Sequence, residues 1–170
     1  MSGGLDAFLP EVWLRGPLPD YIDELQPVAH SLLQVREEVG RFSEFPAAQL
    51  WARPGGAASI GFHLKHLAGS LDRLLTYAAE KQLTAAQQEF LAAEEKETGE
   101  SAETLVQRAQ AAIDRALTHV RTTPLCTLDE KRNVGRHRLP STVLGLLFHA
   151  AEHAQRHSAQ IITTAKILNG

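Results

Sequence analysis

Apolar residues recur at helical spacing in four long segments of the chain, and each segment predicts an amphipathic helix. The predicted helices span about residues 20–42, 59–80, 101–121 and 141–168. A shorter segment, 84–95, predicts a connecting helix, and residues 125–139 predict a long polar connection with a turn at 133–135. No stretch of any length alternates in the way that a strand does. We therefore expect an all-α four-helix bundle with long connections.

Residues at the expected helix ends support these boundaries. Ser101 is a good N-cap for the third helix and Pro124 stops it. Either Ser141 or Thr142 can cap the fourth helix. Every connection is longer than a tight antiparallel turn requires, so the sequence is compatible with an up-and-down bundle and with a crossover topology.

Composition places the chain among ordinary globular proteins. It has 170 residues, 44% of them hydrophobic and 22% charged, which predicts one domain over residues 1–170. Its net charge of −3 argues against a nucleic-acid binder, because such proteins usually carry a basic excess. The first residues lack the pattern of a secretory signal, and no apolar run approaches the ~20 residues that cross a membrane. With the single cysteine Cys126, these features predict a cytoplasmic protein without a membrane partner, and the apolar fourth helix would allow a homodimer.

Histidines on the fourth helix form the main candidate site. His149, His153 and His157 lie four residues apart and therefore stack on one face, a turn apart. On a helical wheel His149 lies nearest the solvent face and the other two turn progressively toward the core, while Gln160 continues the same stripe. A polar stripe beside the core is costly unless it binds something. We therefore predict that His153 and His157 are metal ligands, with His149 and Gln160 as possible neighbours of the ligands or alternate ligands.

A third ligand must come from another helix, because two imidazoles rarely suffice for a metal. His63 and His66 on the second helix are three residues apart and can share a face. Geometry alone leaves the choice between them open. His30 on the first helix is a weaker candidate, because a lone histidine on a half-buried face usually has a structural role.

Two segments carry a resemblance to a known family, Ser59–Arg73 and Leu147–Ile161. In these segments the chain resembles the DinB/YfiT-like superfamily of metalloenzymes, which is unrelated to the DNA polymerase that shares the name. The resemblance implies a four-helix bundle and a metal held by three histidines, at the positions of His66, His153 and His157. The family's last motif usually reads His-Arg-Gly-Gln, whereas here Ala159 replaces the glycine, a departure that removes no ligand.

Three imidazoles leave one or two coordination positions open, and an open site is typical of a metal that binds a ligand or takes part in chemistry. Zn or Ni is the first expectation for this donor set, and Fe, Mn or Cu is also compatible. Known members of the resembled superfamily include transferases that use bacillithiol or mycothiol. The resemblance therefore implies a small-molecule substrate and a low-molecular-weight thiol, whose sulfur is activated by the metal and attacks a small electrophile.

Two other functions remain open at the level of sequence. One is metal-dependent hydrolysis by a bound hydroxide, although Glu152 and Asp72 both fall on outer helix faces and are poorly placed as general bases. The other is a non-enzymatic, metal-stabilised stress or interaction protein. The basic connection 131–138 could hold an anionic cosubstrate beside the fourth helix, although a solvated basic loop is the more common role for such a segment.

Overall fold

A computed structural model gives the structure of the chain and describes residues 10–170. The prediction about a secretory signal falls on the first residues and lies outside this range. The described residues are mostly helical, which confirms the all-α prediction. The regular elements are α1 (Gln26–Gly40), α2 (Ala47–Leu50), α3 (Ile60–Ala78), α4 (Ala85–Ala93), α5 (Ala102–Thr122), β1 (Lys131–Val134), β2 (Leu139–Thr142) and α6 (Val143–Asn169). Short 3₁₀ turns lie at Val12–Leu14, Asp23–Leu25, Pro54–Gly56 and Leu125–Thr127.

Side-chain caps explain where four of the helices begin. The hydroxyls of Ser59 and Ser101 each accept a hydrogen bond of 3.2 Å from the backbone N–H three residues later. Thr142, rather than Ser141, caps α6 in the same way at 3.0 Å. Thr84 and Gln87 form a reciprocal capping box at the start of α4. These contacts satisfy backbone donors that a helix leaves free in its first turn.

The first long helix is shorter than its sequence pattern predicts. It begins at Gln26 instead of residue 20 and ends at Gly40 instead of residue 42. Asp20 has a φ of 66°, which no α-helix accommodates, and residues 23–25 form a 3₁₀ turn. Pro27 then lies in the first turn of α1, where its missing N–H costs no hydrogen bond.

The expectation of no strand is wrong for residues 131–142. The two strands β1 and β2 pair antiparallel from Lys131↔Thr142 to Val134↔Leu139, with a turn at 135–138. Neither strand shows apolar alternation, so the sequence carried no signal for them. A contact with α3 stabilises the hairpin: Nε of Arg132 donates a hydrogen bond of 2.7 Å to the carbonyl of Ala78, the last residue of α3.

The four long helices form a ring around a common core. α3 packs against α5 and α6, and α1 packs against the same two helices. The pairs α1/α3 and α5/α6 therefore occupy opposite corners, and the long connections between them cross the bundle. The core includes side chains from all four helices that are fully buried: Leu32, Leu64, Leu67, Ile113 and Ile161. Among the described helices, none is long and apolar enough to span a membrane.

Candidate metal centre

Histidines from α3 and α6 meet where these two helices pack together. His66, His153 and His157 each offer one ring nitrogen, and these three atoms lie within 4.8 Å of one another. The Nε2 atoms of His66 and His153 are 3.0 Å apart. The ring of His157 lies 4.6 Å from that of His66 and 4.5 Å from that of His153, measured between centroids. The structure thus brings together His153 and His157, which the helical spacing predicts as ligands, and His66, which the family resemblance implies as the third.

Contacts with α1 set the rotation of α6 about its axis. Ser158 is buried and donates to Oε2 of Glu38 at 2.5 Å, and Gln155 donates to the carbonyl of Ser31 at 3.1 Å. This rotation turns His157 into the interior, where only 8% of the residue is exposed. The increase in burial from His149 to His157 follows the helical wheel.

His63 is a neighbour of the cluster and not a member of it. It is buried, and its Nδ1 lies 2.9 Å from Nδ1 of His157. One of these two nitrogens carries a proton and donates a hydrogen bond to the other, and this bond orients both rings. His63 therefore supports His157, while His66 is the residue that faces His153.

Three other predicted candidates lie outside the group of possible ligands, although His149 adjoins it, with its ring centroid 5.2 Å from that of His153. His149 is exposed, and its Nδ1 pairs with Oε1 of Glu152 at 2.7 Å. Gln160 is also exposed on α6. His30 lies on α1, where its Nε2 is 3.0 Å from the carbonyl of Gly16. None of the three belongs to the group of possible ligands within residues 10–170.

The basic hairpin lies far from the histidines. Arg132 contacts Ala78, which follows His66 by twelve residues on α3 and so lies about 18 Å further along the helix axis. Arg132 is also paired with Glu130 at 2.8 Å. The hypothesis that this segment holds an anionic cosubstrate beside the metal therefore gains no support from the structure.

Glu94 is an acidic residue in contact with the cluster that the sequence did not indicate. It follows the last residue of α4, and only 2% of it is exposed. Its Oε2 lies 2.7 Å from Nδ1 of His66, and its Oε1 accepts a hydrogen bond of 2.6 Å from Arg73. In the sequence Glu94 opens an acidic run that resembles a solvated connection. The one available signal was Arg73, a cation seven residues after His66 on the same helix face.

Two contacts hold α4 on α3 and so deliver Glu94 to the site. At the C-terminal end of α4, the buried Lys65 donates to the carbonyls of Ala93 and Lys96, at 2.6 and 2.9 Å. These carbonyls lie at the negative end of the helix dipole, where a cation is favoured. Near the N-terminal end of α4, Gln87 donates to Oδ2 of Asp72 on α3 at 2.7 Å.

Gly69 makes room for the contact between α3 and α4. A Cβ at this position would lie 2.7 Å from Nη1 of Arg73 and 2.7 Å from Cε1 of Phe90. We expect Gly69→Ala to lower the free energy of unfolding by about 1–3 kcal/mol, because overpacking must displace the Arg73–Glu94 pair or Phe90. Urea denaturation of the metal-free protein measures this effect.

The matched control is Gly99→Ala. A Cβ at Gly99 meets no atom within 4 Å, so this variant should unfold at the same urea concentration as the wild type. Equal midpoints for Gly69→Ala and Gly99→Ala would show that α4 does not pack tightly on Gly69.

The buried imidazoles are held in their neutral form. Burial, followed by the neighbouring imidazoles, lowers the pKa of His63 and of His153 to about 4. Burial and the surrounding histidines lower the pKa of His157 to about 3. Neutral imidazole is the form that binds metal, so these side chains need not lose a proton at pH 7.

These pKa values predict an acid-sensitive fold. An unfolded histidine has a pKa of about 6.5, so between pH 6.5 and 4 the unfolded chain binds more protons than the folded one. Stability of the metal-free protein should therefore fall as the pH is lowered through this range. Urea midpoints at pH 7, 6 and 5 measure the effect.

In the control His137→Gln, an exposed histidine is removed and the pH dependence should stay unchanged. The variant His157→Gln should show a shallower dependence than the wild type. If the urea midpoint changed with pH to the same extent in the wild type and in both variants, the cluster histidines would have ordinary pKa values in the folded state.

The donor set fits a divalent metal ion. A carboxylate only accepts hydrogen bonds, so Nδ1 of His66 carries the proton and its Nε2 lone pair faces His153. Nδ1 of His153 is buried and has no hydrogen-bond partner among the described residues, and an ion bound at Nε2 would leave it unpaired. Nitrogens bound to Zn²⁺ at 2.0–2.1 Å are separated by roughly 3.3 Å in a tetrahedron. The Nε2 atoms of His66 and His153 are 3.0 Å apart, close to that spacing.

Comparison with known families agrees with this geometry. The family model described as the DinB superfamily matches residues 31–161, a range that contains all three clustered histidines. A search of curated proteins found no match to the chain.

Proposed function

The chain belongs to the DinB superfamily, and from this we propose that it is a metal-dependent transferase that activates a low-molecular-weight thiol for attack on a small electrophile. The observation that supports the proposal is the cluster of three histidines, one from α3 and two from α6. Three protein donors leave room for an exogenous ligand, whereas structural zinc sites are usually closed by four.

One ring of the cluster is partly exposed to solvent, and we propose that a small molecule approaches from this side. The side chain of His66 is 20% exposed, and Phe62 stacks on its ring at a centroid distance of 5.3 Å and an angle of 16°. Phe62 is itself half-buried, so it offers an apolar wall beside the donor nitrogens. We propose that this wall accommodates the carbon skeleton of the thiol or of the electrophile.

The charge of the donor set also favours a thiol. A divalent ion at this position would lower the pKa of a bound thiol toward neutrality. Because the group of possible ligands contains three histidines and no carboxylate, none of its donors carries a negative charge that would compete with an anionic sulfur. In the transfer a sulfur–carbon bond forms, the leaving group departs with the electrons of its bond to carbon, and the thiol proton passes to water.

Hydrolysis is less well supported, because the candidate carboxylates are already engaged. Glu94 is bonded to His66 and Arg73, and Glu152 is bonded to His149 and Arg156. A general base must be free to take a proton from water at the reacting centre.

We further propose that Zn²⁺ or Ni²⁺ is the resident ion and that the protein acts in a reducing cytoplasm, where small thiols persist. A homodimer remains a prediction from the apolar content of α6. No interaction with nucleic acid or membrane is proposed.

The test begins with elemental analysis of protein purified without chelator. The metal-loaded protein is then incubated with bacillithiol or mycothiol and a chromogenic aryl chloride, with chloride release and thioether formation as readouts. The proposal expects about one metal per chain and conjugation that the His66→Ala variant lacks. Ester cleavage without thiol would favour the hydrolase. Metal binding with neither activity would favour the non-enzymatic, metal-stabilised protein, and absence of metal after Zn²⁺ or Ni²⁺ is added would overturn the proposal.

A further inference from the structure

The contact between α4 and His66 points to a role for residues outside the ligand set. We propose that Glu94 is a positioning residue for His66, and that Arg73 holds its carboxylate in place. In this role Glu94 keeps the proton of His66 on Nδ1 and leaves the Nε2 lone pair toward His153. The inference rests on the proposed metal centre, but it is argued from hydrogen bonds that the protein makes by itself.

The position of Glu94 is unfavourable unless it is compensated. Only 2% of the residue is exposed, and burial of a carboxylate is unfavourable unless it is paired. It also lies at the C-terminal end of α4, where the helix dipole disfavours a negative charge. A serine or glycine would satisfy the needs of a helix end at lower cost, so the carboxylate is explained by its partners.

The two carboxylate oxygens divide between those partners. Oε1 accepts from Nη1 of Arg73 at 2.6 Å, and Oε2 lies 2.7 Å from Nδ1 of His66. Arg73 is itself buried, so its cation compensates the carboxylate away from water. A carboxylate on the distal nitrogen of a metal-binding histidine fixes its tautomer and raises its basicity.

The ring of His66 is constrained from a second direction as well. Phe62 stacks nearly parallel to its face, with an angle of 16° between the planes. Stacking restrains the tilt of the ring, and the hydrogen bond from Nδ1 to Glu94 restrains its rotation within the plane. Together they set the direction of Nε2 before any ion binds.

The competing explanation is that the Arg73–Glu94 pair only fastens α4 to α3. A fastening role predicts lower stability in a Glu94 variant, with no change in the tautomer of His66. A positioning role predicts a change in the tautomer and in metal affinity, and both can be measured on folded protein.

The experiment compares Glu94→Gln, Glu94→Asp and the control Glu95→Gln, an exposed neighbour. Long-range ¹H–¹⁵N spectra of the metal-free proteins report which nitrogen of His66 is protonated. We expect the Nδ1 form in the wild type and in the control, and loss of that single form in both Glu94 variants. Competition with a zinc chelator should show affinities lower by about 10–100-fold in the Glu94 variants alone.

Glu94→Asp guards against failure of the amide variant to fold, since it retains the charge and shortens only the reach. An unchanged tautomer and unchanged zinc affinity in a folded Glu94 variant would overturn the inference. Failure of the proposed function looks different: the wild type would bind no zinc, while the tautomer of metal-free His66 would still depend on Glu94.

Discussion

Replacing His153 with alanine is expected to abolish stoichiometric metal binding, with affinity for Zn²⁺ lower by more than about 100-fold. His153 lies at the centre of the cluster, with Nε2 3.0 Å from Nε2 of His66. Loss of a direct donor should cost more than the roughly 10–100-fold that loss of a supporting hydrogen bond costs. Elemental analysis after gel filtration, with a chelator titration for the affinity, measures the result.

The matched control is His149→Ala, one turn earlier on the same helix. His149 is exposed and paired with Glu152. Its ring lies 5.2 Å from that of His153, but it is not in the group of possible ligands, so its removal changes the histidine count of α6 without removing a donor. This variant should bind metal like the wild type. Retention of one metal per chain in His153→Ala would show that the ion is held elsewhere.

Metal removal is expected to lower the Tm of the wild type by roughly 8–16 °C relative to protein with the ion at a thousandfold excess over its Kd. At that excess a ligand specific for the folded state contributes about 4.1 kcal/mol. For a chain of this size each kcal/mol shifts the Tm by about 2–4 °C. Thermal unfolding with and without chelator, followed by circular dichroism, measures the shift.

The His66→Ala variant separates site-specific stabilisation from general effects of the ion. It removes the single donor that α3 contributes, so the link between α3 and α6 through the metal is lost. Its Tm should be the same with and without added metal. A shift equal to that of the wild type would mean that the ion stabilises the fold through other groups.

Much of this fold was predictable because its determinants are local. The apolar spacing in α3, α5 and α6 places their ends within two residues of those observed. Ser59, Ser101 and Thr142 mark the beginnings through bonds to N–H groups only three residues away. In the same way, a spacing of four residues is enough to align His153 and His157 on one face.

Other features depend on contacts between distant parts of the chain. The β1–β2 hairpin has no strand pattern of its own and is held by bonds such as that from Arg132 to Ala78, 54 residues away. The beginning of α1 was placed too early, because the apolar pattern does not report the φ of 66° at Asp20.

In the candidate site, too, some features follow from local sequence and others from contacts between distant residues. The sequence by itself determined a cluster of histidines on α6 and two possible donors on α3, because helical periodicity decides which residues share a face. Only the tertiary structure decided that His66 faces His153, that His63 supports His157, and that Glu94 reaches His66 across 28 residues of chain. The physical reason is that rotation and docking of a helix are set by its packing partners, and in this protein α1, α4 and α5 supply those contacts.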